Sequence, residues 1–312
     1  MKRIYSTLIV TVTVLLLWGN NSHAQHSLSL KVGTYNIRYD NRGDQEKGNG
    51  WQQRVPAIVS IIQWEDIDVL GMQEVLAHQL KDLRTALNQE YASFGVGRDD
   101  GKDKGEFAPI FFKKDKFALL DSGAFWLSET PDKPSKGWDA ALPRICTWVH
   151  LKERRTKKDF LFFNLHMDHV GVLAREQSCH LVLKKMKELA GKKTAFLTGD
   201  FNVDQNNTIY NILQGSGYVQ DAYELAGIKH AWNGTFNAFD SDLWTASRID
   251  HIFLTQKVTV SNYAVLTETY RSKSPENTED VKKGDFPKEL SFKKYISRLP
   301  SDHFPVLIRL KF

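Results

Sequence analysis

Acids, amides and imidazoles in this 312-residue sequence recur where apolar runs stop. Asn36 ends the first such run, Glu74 follows Val69-Leu70-Gly71-Met72-Gln73, and His166 and Asp168 follow Phe160–Leu165. Asp200 and Asn202 follow Ala195-Phe196-Leu197-Thr198-Gly199, Asp250 lies in Ser247-Arg248-Ile249-Asp250-His251, and Asp302-His303 precede Phe304-Pro305-Val306. One acid in such a place is ordinarily a cap, a turn residue or an ion-pair partner. Six strand ends of this kind are a different matter. Strand ends at one sheet edge converge, and several carboxylates share a small site only if a cation or protons neutralise them. Carboxylate and amide oxygens are hard donors, which favours Mg²⁺ or Mn²⁺ over zinc, with Glu74 as the leading ligand. Such a site suits phosphate-ester hydrolysis. The cation offsets charge on non-bridging oxygens, a base or orienting group prepares a water, and an imidazolium meets the phosphoryl oxygen.

The elements that must carry these groups are legible as apolar runs. Interior strands are predicted at Leu30–Ile37, Val69–Gln73, Ala108–Phe112, Phe117–Ala124, Cys146–Leu151, Phe160–Leu165, Thr194–Thr198, Ile249–Leu254 and Pro305–Leu310. Helix-period segments lie between them: Gln52–Trp64, Ala77–Leu87 and Ala174–Leu189. Strands and helices are mixed throughout, and one sheet of so many strands would tend to curl or split. The expected fold class is therefore α/β, two packed mixed β-sheets flanked by helices, a four-layer α/β/β/α sandwich. The stretch Tyr270 to Pro300, rich in Lys, Glu, Ser and Pro, is expected as a long surface excursion.

Aromatic residues at 12% and apolar residues at 41% describe a chain able to bury a core, which excludes a disordered one. Met1-Lys2-Arg3, an apolar run from Leu8 to Trp18 and Ser22-His23-Ala24 form a signal-peptide pattern, with cleavage expected after Ala24. Residues 1–24 would then be a signal peptide and 25–312 one domain, exported to the periplasm or secreted, with no transmembrane segment after cleavage and no stable protein partner. Removing Lys2 and Arg3 takes the formal charge from +5 to 5 − 2 = +3. Lys and Arg are interleaved with Asp and Glu, so the sequence lacks the basic stripe of a non-specific nucleic-acid binder. Cys146 and Cys179 sit among apolar neighbours and read as either two buried thiols or a bridge, not as nucleophile or metal ligand.

From Leu30 to Phe312 the chain resembles the exonuclease–endonuclease–phosphatase superfamily, which includes pancreatic-type deoxyribonucleases, apurinic-site endonucleases, neutral sphingomyelinases and inositol-polyphosphate 5-phosphatases. The resemblance is carried by Thr34-Tyr35-Asn36, Gln73-Glu74, Asn164-Leu165-His166, Gly199-Asp200-Phe201-Asn202, Ser247-Arg248-Ile249-Asp250 and Ser301-Asp302-His303-Phe304-Pro305-Val306. It implies an exported, Mg²⁺- or Mn²⁺-dependent phosphoesterase that hydrolyses a phosphodiester or phosphomonoester by in-line attack of water. Glu74 would hold the metal, with Asn36, Asp302 and Asp200 beside it. Asp200 and Asn202 would position water and phosphate, His303 would act at the phosphoryl centre, and Asp250 would orient that imidazole. His166 would donate to a phosphate oxygen, and Asn36 and Asn202 would also touch substrate. The substrate stays open among nucleic acid, phospholipid or sphingolipid, and sugar or inositol phosphate.

Some features fit less simply. Arg38 stands where some nucleases of the family place a metal-binding acid, which counts against a DNA-repair role. Arg144 reads either as a phosphate contact, because its guanidinium can grip two oxygens, or as a structural ion pair. Asp168 and His169 read as supporting or turn residues. Asn164-Leu165-His166-Met167-Asp168-His169 also resembles the metallo-β-lactamase signature with its first histidine replaced, so a zinc hydrolase is one alternative. A catalytically inactive phospho-ligand-binding module of the same fold is the other.

Overall fold

Side chains alternate across a strand with a period of two, so each strand here divides its residues between two environments. Leu30 and Val32 enter a core that also holds Val69, Phe160, Phe162, Phe196, Ile252, Val306 and Ile308. Their neighbours Tyr35, Leu70, Met72 and Leu307 enter a second core, and Leu161, Phe163, Leu197 and Phe253 a third. Strands with apolar residues on both faces need cover on both faces, and two sheets packed together with helices outside supply it.

That is the arrangement in the computed structural model, which describes residues 28–255, 258–273 and 284–311. One seven-stranded sheet runs in the order β10 (Ile228–His230), β12 (Thr259–Val265), β15 (Val306–Lys311), β1 (Ser29–Asn36), β2 (Val69–Gln73), β4 (Ile110–Lys113) and β3 (Tyr91–Phe94). The six-stranded partner sheet runs β5 (Phe117–Trp126), β6 (Ile145–Glu153), β7 (Asp159–His166), β8 (Thr194–Asp200), β11 (Asp250–Thr255) and β9 (Val219–Asp221). Both are mixed: β1 is parallel to β2 and antiparallel to β15, and β7 is parallel to β8 while β11 is antiparallel to it. Trp51, Ile58 and Ile62 of α2 (Trp51–Trp64) and Leu80, Leu83 and Leu87 of α3 (Ala77–Leu87) close the outer face of the first sheet. Val182, Leu183 and Met186 of α4 (Val172–Ala190), with Ile209 and Leu213 of α5 (Thr208–Gln214), close that of the second. The short α1 (Arg42–Glu46) and α6 (Ala222–Leu225) complete the helices of the described residues.

Toward one end of the strands the inward-facing residues change from apolar to polar. Thr34, Gln73, Asn164 and Thr198 are fully buried and join across the gap between sheets. Gln73 Nε2 donates to Asn164 Oδ1 at 2.6 Å and to Thr34 Oγ1 at 3.0 Å. Asn164 Nδ2 donates to the Met72 carbonyl at 2.7 Å, and Thr198 Oγ1 donates to Asn164 Oδ1 at 3.1 Å. Gly71 makes room for this seam, because a Cβ there would overlap the Asn164 amide and the Thr198 hydroxyl.

All nine predicted strands and three predicted helices are present within a few residues. The short β3, β9 and β10 and the longer β12 were not predicted. In β12 the buried residues are separated by Ser261 and Asn262, and the register shifts between Val260 and Asn262, which breaks the alternation. The expected surface excursion is in part an ordered hairpin, with β13 (Tyr270–Lys273) pairing β14 (Tyr295–Arg298), while 274–283 lie outside the described residues. Cys146 and Cys179 are buried free thiols. The expected signal peptide also lies outside the described residues, among which no helix is long and apolar enough to cross a membrane.

Gly71→Ala should destabilise the domain by about 1–3 kcal/mol through overpacking of the seam. Urea unfolding followed by circular dichroism measures this, and an unchanged midpoint would show that the sheets do not depend on their close approach there.

Candidate active site

The polar seam opens at the strand ends into a cavity of about 580 Å³ lined by Glu74, Arg144, His166, Asp200, Asn202 and His303, among others. Register places these groups. His166 is opposite Asp200 on β7 and β8, Asp250 is opposite Asp200 on β11 and β8, and Asn36 is opposite Gln73 on β1 and β2. Asn36, His166, Asp200 and Asp250 therefore inherit the inward direction of Val32, Phe162, Phe196 and Ile252. Strict alternation would send Glu74, one residue past Gln73, to the helix side. Its backbone instead takes φ 60°, and Arg38 and Asn202 are left-handed as well, at 59° and 52°. Such conformations are uncommon for non-glycine residues and gather at functional sites.

Asp200 is the hub. Its Oδ2 accepts from Asn36 Nδ2 at 3.0 Å and lies 3.6 Å from His166 Nε2 and 3.7 Å from His303 Nε2, while Oδ1 accepts the Asn202 N–H at 2.9 Å. The same Asn36 nitrogen donates to Glu74 Oε1 at 3.0 Å, and Asn36 Oδ1 accepts the Arg38 N–H, which fixes the amide's orientation. Asn36 thus bridges the two acids through its nitrogen. His303 Nδ1 donates to Asp250 Oδ2 at 2.9 Å, the role expected of Asp250. Asp302 is buried, 3.3 Å from Arg38 Nη1.

Burial and neighbouring charge drive the two imidazoles apart. Desolvation, reinforced by Arg144 and Arg98, pushes His166 well below its usual range, so it is neutral. Burial also opposes charge on His303, but the carboxylates of Asp250 and Asp200 outweigh it and hold the imidazole protonated, well above its usual range. Burial and the nearby Asp250 raise Asp200 to about 7, although His303 acts against the shift.

Two groups of side chains bring ligand atoms within 4.8 Å of one another: Glu74, His166 and Asp200, and Asp200, Asp250 and His303. The second already contains its cation, the His303 imidazolium. The first joins two carboxylates to a neutral imidazole, and this set fits a divalent ion.

Arg144 forms the structural ion pair that is one of its two expected roles. Its Nε pairs with Asp168 at 3.2 Å and Nη2 meets His169 Nδ1 at 2.9 Å, while buried Nη1 has no hydrogen-bond partner. That orphan donor on a cavity-lining residue suits an anionic oxygen. Asp168 is occupied by the N–H groups of Ala141, Val170 and Gly171, so it shapes the loop. Sequence reasoning did not find Glu106, Arg98 or Phe236. Glu106 lies 3.8 Å from His166 Nδ1 and is paired with Arg98 at 2.8 Å, and Phe236 packs edge-on against His303, centroids 5.0 Å apart. The only signal for the first two was an aperiodic, charged, glycine-bearing segment before Phe107-Ala108-Pro109.

This sandwich, with its carboxylate and imidazole cluster where the two sheets part, is the architecture of a phosphoric ester hydrolase. Residues 33–303 match the model of the endonuclease/exonuclease/phosphatase family, and the chain belongs to that family. It is 50% identical to a family member from Bacteroides thetaiotaomicron whose crystal structure superposes with a TM-score of 0.85, covering 92% of this chain and 99% of that one. It is also 50% identical to a mannosyl-6-phosphatase of the same organism, with a TM-score of 0.84 over 91% of this chain and 100% of that one. The human Nocturnin catalytic domain, at 15% identity, 90% and 93% coverage and a TM-score of 0.63, shares the fold. Membership removes the metallo-β-lactamase alternative, whose signature residues are spent elsewhere: Asn164 in the seam and Asp168 in its loop. The enzymes among the chain's relatives and the carboxylate–imidazole cluster count against the inactive-module alternative.

Asp250→Asn should lower turnover about 10- to 100-fold with the fold intact. With the Asp250 charge removed, only the carboxylates of Asp200 and Asp302 still oppose burial on His303, so its pKa should fall. NMR titration of the His303 ring reads this directly, and an unchanged titration would refute the pairing's role.

Proposed function

We propose that the protein is an exported phosphatase that releases phosphate from a sugar phosphate, with Mg²⁺ or Mn²⁺ bound at Glu74 and Asp200. The observation that carries the substrate class is the site's form: a cavity of about 580 Å³ whose lining includes Arg144 and the His303 imidazolium. That volume is in the range of small-molecule pockets. The full-length likeness to a mannosyl-6-phosphatase supports the same reading. The modest net charge argues against long nucleic acids, which reward a basic groove.

A divalent ion held by Glu74 and Asp200 would offset charge on the non-bridging oxygens. The remaining work belongs to the chain. Arg144 Nη1 and the neutral His166 hold phosphate oxygens, and the His303 imidazolium donates to the phosphoryl group where negative charge accumulates. Asp200 takes a proton from the attacking water, which Asn202 helps to place. The new bond joins water oxygen to phosphorus, the bond to the sugar oxygen breaks on the opposite side, that oxygen takes a proton from solvent, and Asp200 returns its proton to solvent.

Protein stripped with EDTA, then supplied with Mg²⁺ or Mn²⁺, is expected to release inorganic phosphate from a hexose 6-phosphate and to leave plasmid DNA intact. DNA nicking at a comparable rate would contradict the substrate class. Intact mass of protein collected outside the cytoplasm should begin at Gln25, and retention of residues 1–24 inside the cell would contradict export.

A further inference from the structure

Glu74 presents its two oxygens to different surroundings. Oε1 faces Asn36 on the side shared with Asp200 and His166. Oε2 accepts the Tyr39 N–H at 3.1 Å and lies 4.0 Å from Arg38 Nη1. The same Arg38 nitrogen is 3.3 Å from Asp302 Oδ2, so one positive group serves both carboxylates.

This arginine is fixed in place. Its Nε donates to Asp44 Oδ2 at 2.8 Å, and its guanidinium lies over the Tyr39 ring, 4.7 Å from the centroid. Its carbonyl accepts from Arg54 Nη2 and Gln79 Nε2, both at 3.0 Å, and its backbone is left-handed at φ 59°. The Arg54 side chain, fully buried, donates only to carbonyls, those of Ile37, Arg38, Asn49 and Pro300. It therefore ties the segment bearing Arg38 to the one bearing Asp302. A guanidinium held this firmly beside two carboxylates supplies the positive charge that a bound ion would supply there.

We propose that Arg38 is a built-in cation occupying the Glu74–Asp302 side of the site, and that it limits the enzyme to one divalent ion. The inference rests on the reading that Glu74 and Asp200 bind such an ion. Without the guanidinium, Glu74 Oε2 and Asp302 Oδ2 would lose the positive group they share, and a second ion would be drawn to them.

The test is Mn²⁺ binding to the EDTA-stripped full chain, by isothermal titration calorimetry and electron paramagnetic resonance. Wild type is expected to bind one ion per chain, with the spectrum of an isolated Mn²⁺. Arg38→Asp is expected to bind two, with the line broadening of neighbouring spins. Arg38→Gln, which keeps the length of the side chain without its charge, should gain the same second site more weakly. Circular dichroism identifies folded variants, and either folded variant suffices. Two ions in the wild type, both lost in Glu74→Gln, would overturn the inference, as would one ion in every folded variant. No bound ion in the wild type would instead remove the metal reading itself, and this inference with it.

Discussion

Four carboxylates, those of Glu74, Asp200, Asp250 and Asp302, are gathered at one end of the gap between two sheets, three of them buried. Like charges in so little water repel, and each loses hydration that a single hydrogen bond does not replace. The rest of the site answers this constraint. Asp250 is matched by the His303 imidazolium, Asp302 by Arg38, and Asn36 donates one N–H₂ group to Glu74 and Asp200 together. Asp200 and Asp302, both deeply buried, respond by raised pKa values, burial being the main cause in each. The residual negative charge is what makes the Glu74–Asp200 side a site for a cation.

Holding these groups together demands rigidity behind them. The Thr34–Gln73–Asn164–Thr198 seam joins the sheets one layer below the acids, and Arg54 joins the end of β1 to the turn before β15. Ser301 Oγ adds a 2.7 Å bond to the Asn36 carbonyl. Buried polar groups of this sort contribute when every partner is present, and they set which strand ends face each other. The same framework can therefore keep a hydrolytic centre while the cavity walls, such as Phe236 and Arg144, adapt to the substrate.

Much of this was legible in the sequence because the site continues the strand pattern. Asn36, His166 and Asp200 end, and Asp250 begins, apolar runs whose alternation points inward, so finding the core also finds them. Glu74 belongs to the same edge but reaches the site through a left-handed backbone turn, which its residue type does not announce. Arg38 stood out only against a family resemblance, and its pairing with Asp302, far away in sequence, needs the fold. Arg54 is hidden for a different reason: a charged residue one position before the apolar Val55 reads as a surface group, whereas here its charge is satisfied by carbonyls. β12 escaped because a bulge interrupts its period, and the β13–β14 hairpin because its exposed pairing leaves little apolar signal.

The central claim is that buried oxygens on different strands close around one point beside Glu74 and Asp200. A crystal grown with Mn²⁺ and measured at the manganese absorption edge tests it most directly. The account requires an anomalous peak at coordination distance, about 2.1 Å, from a Glu74 oxygen and in the same shell as Asp200. A peak held by Asp168 and His169 instead, or one between Asp250 and His303 that leaves Glu74 uncoordinated, would contradict it.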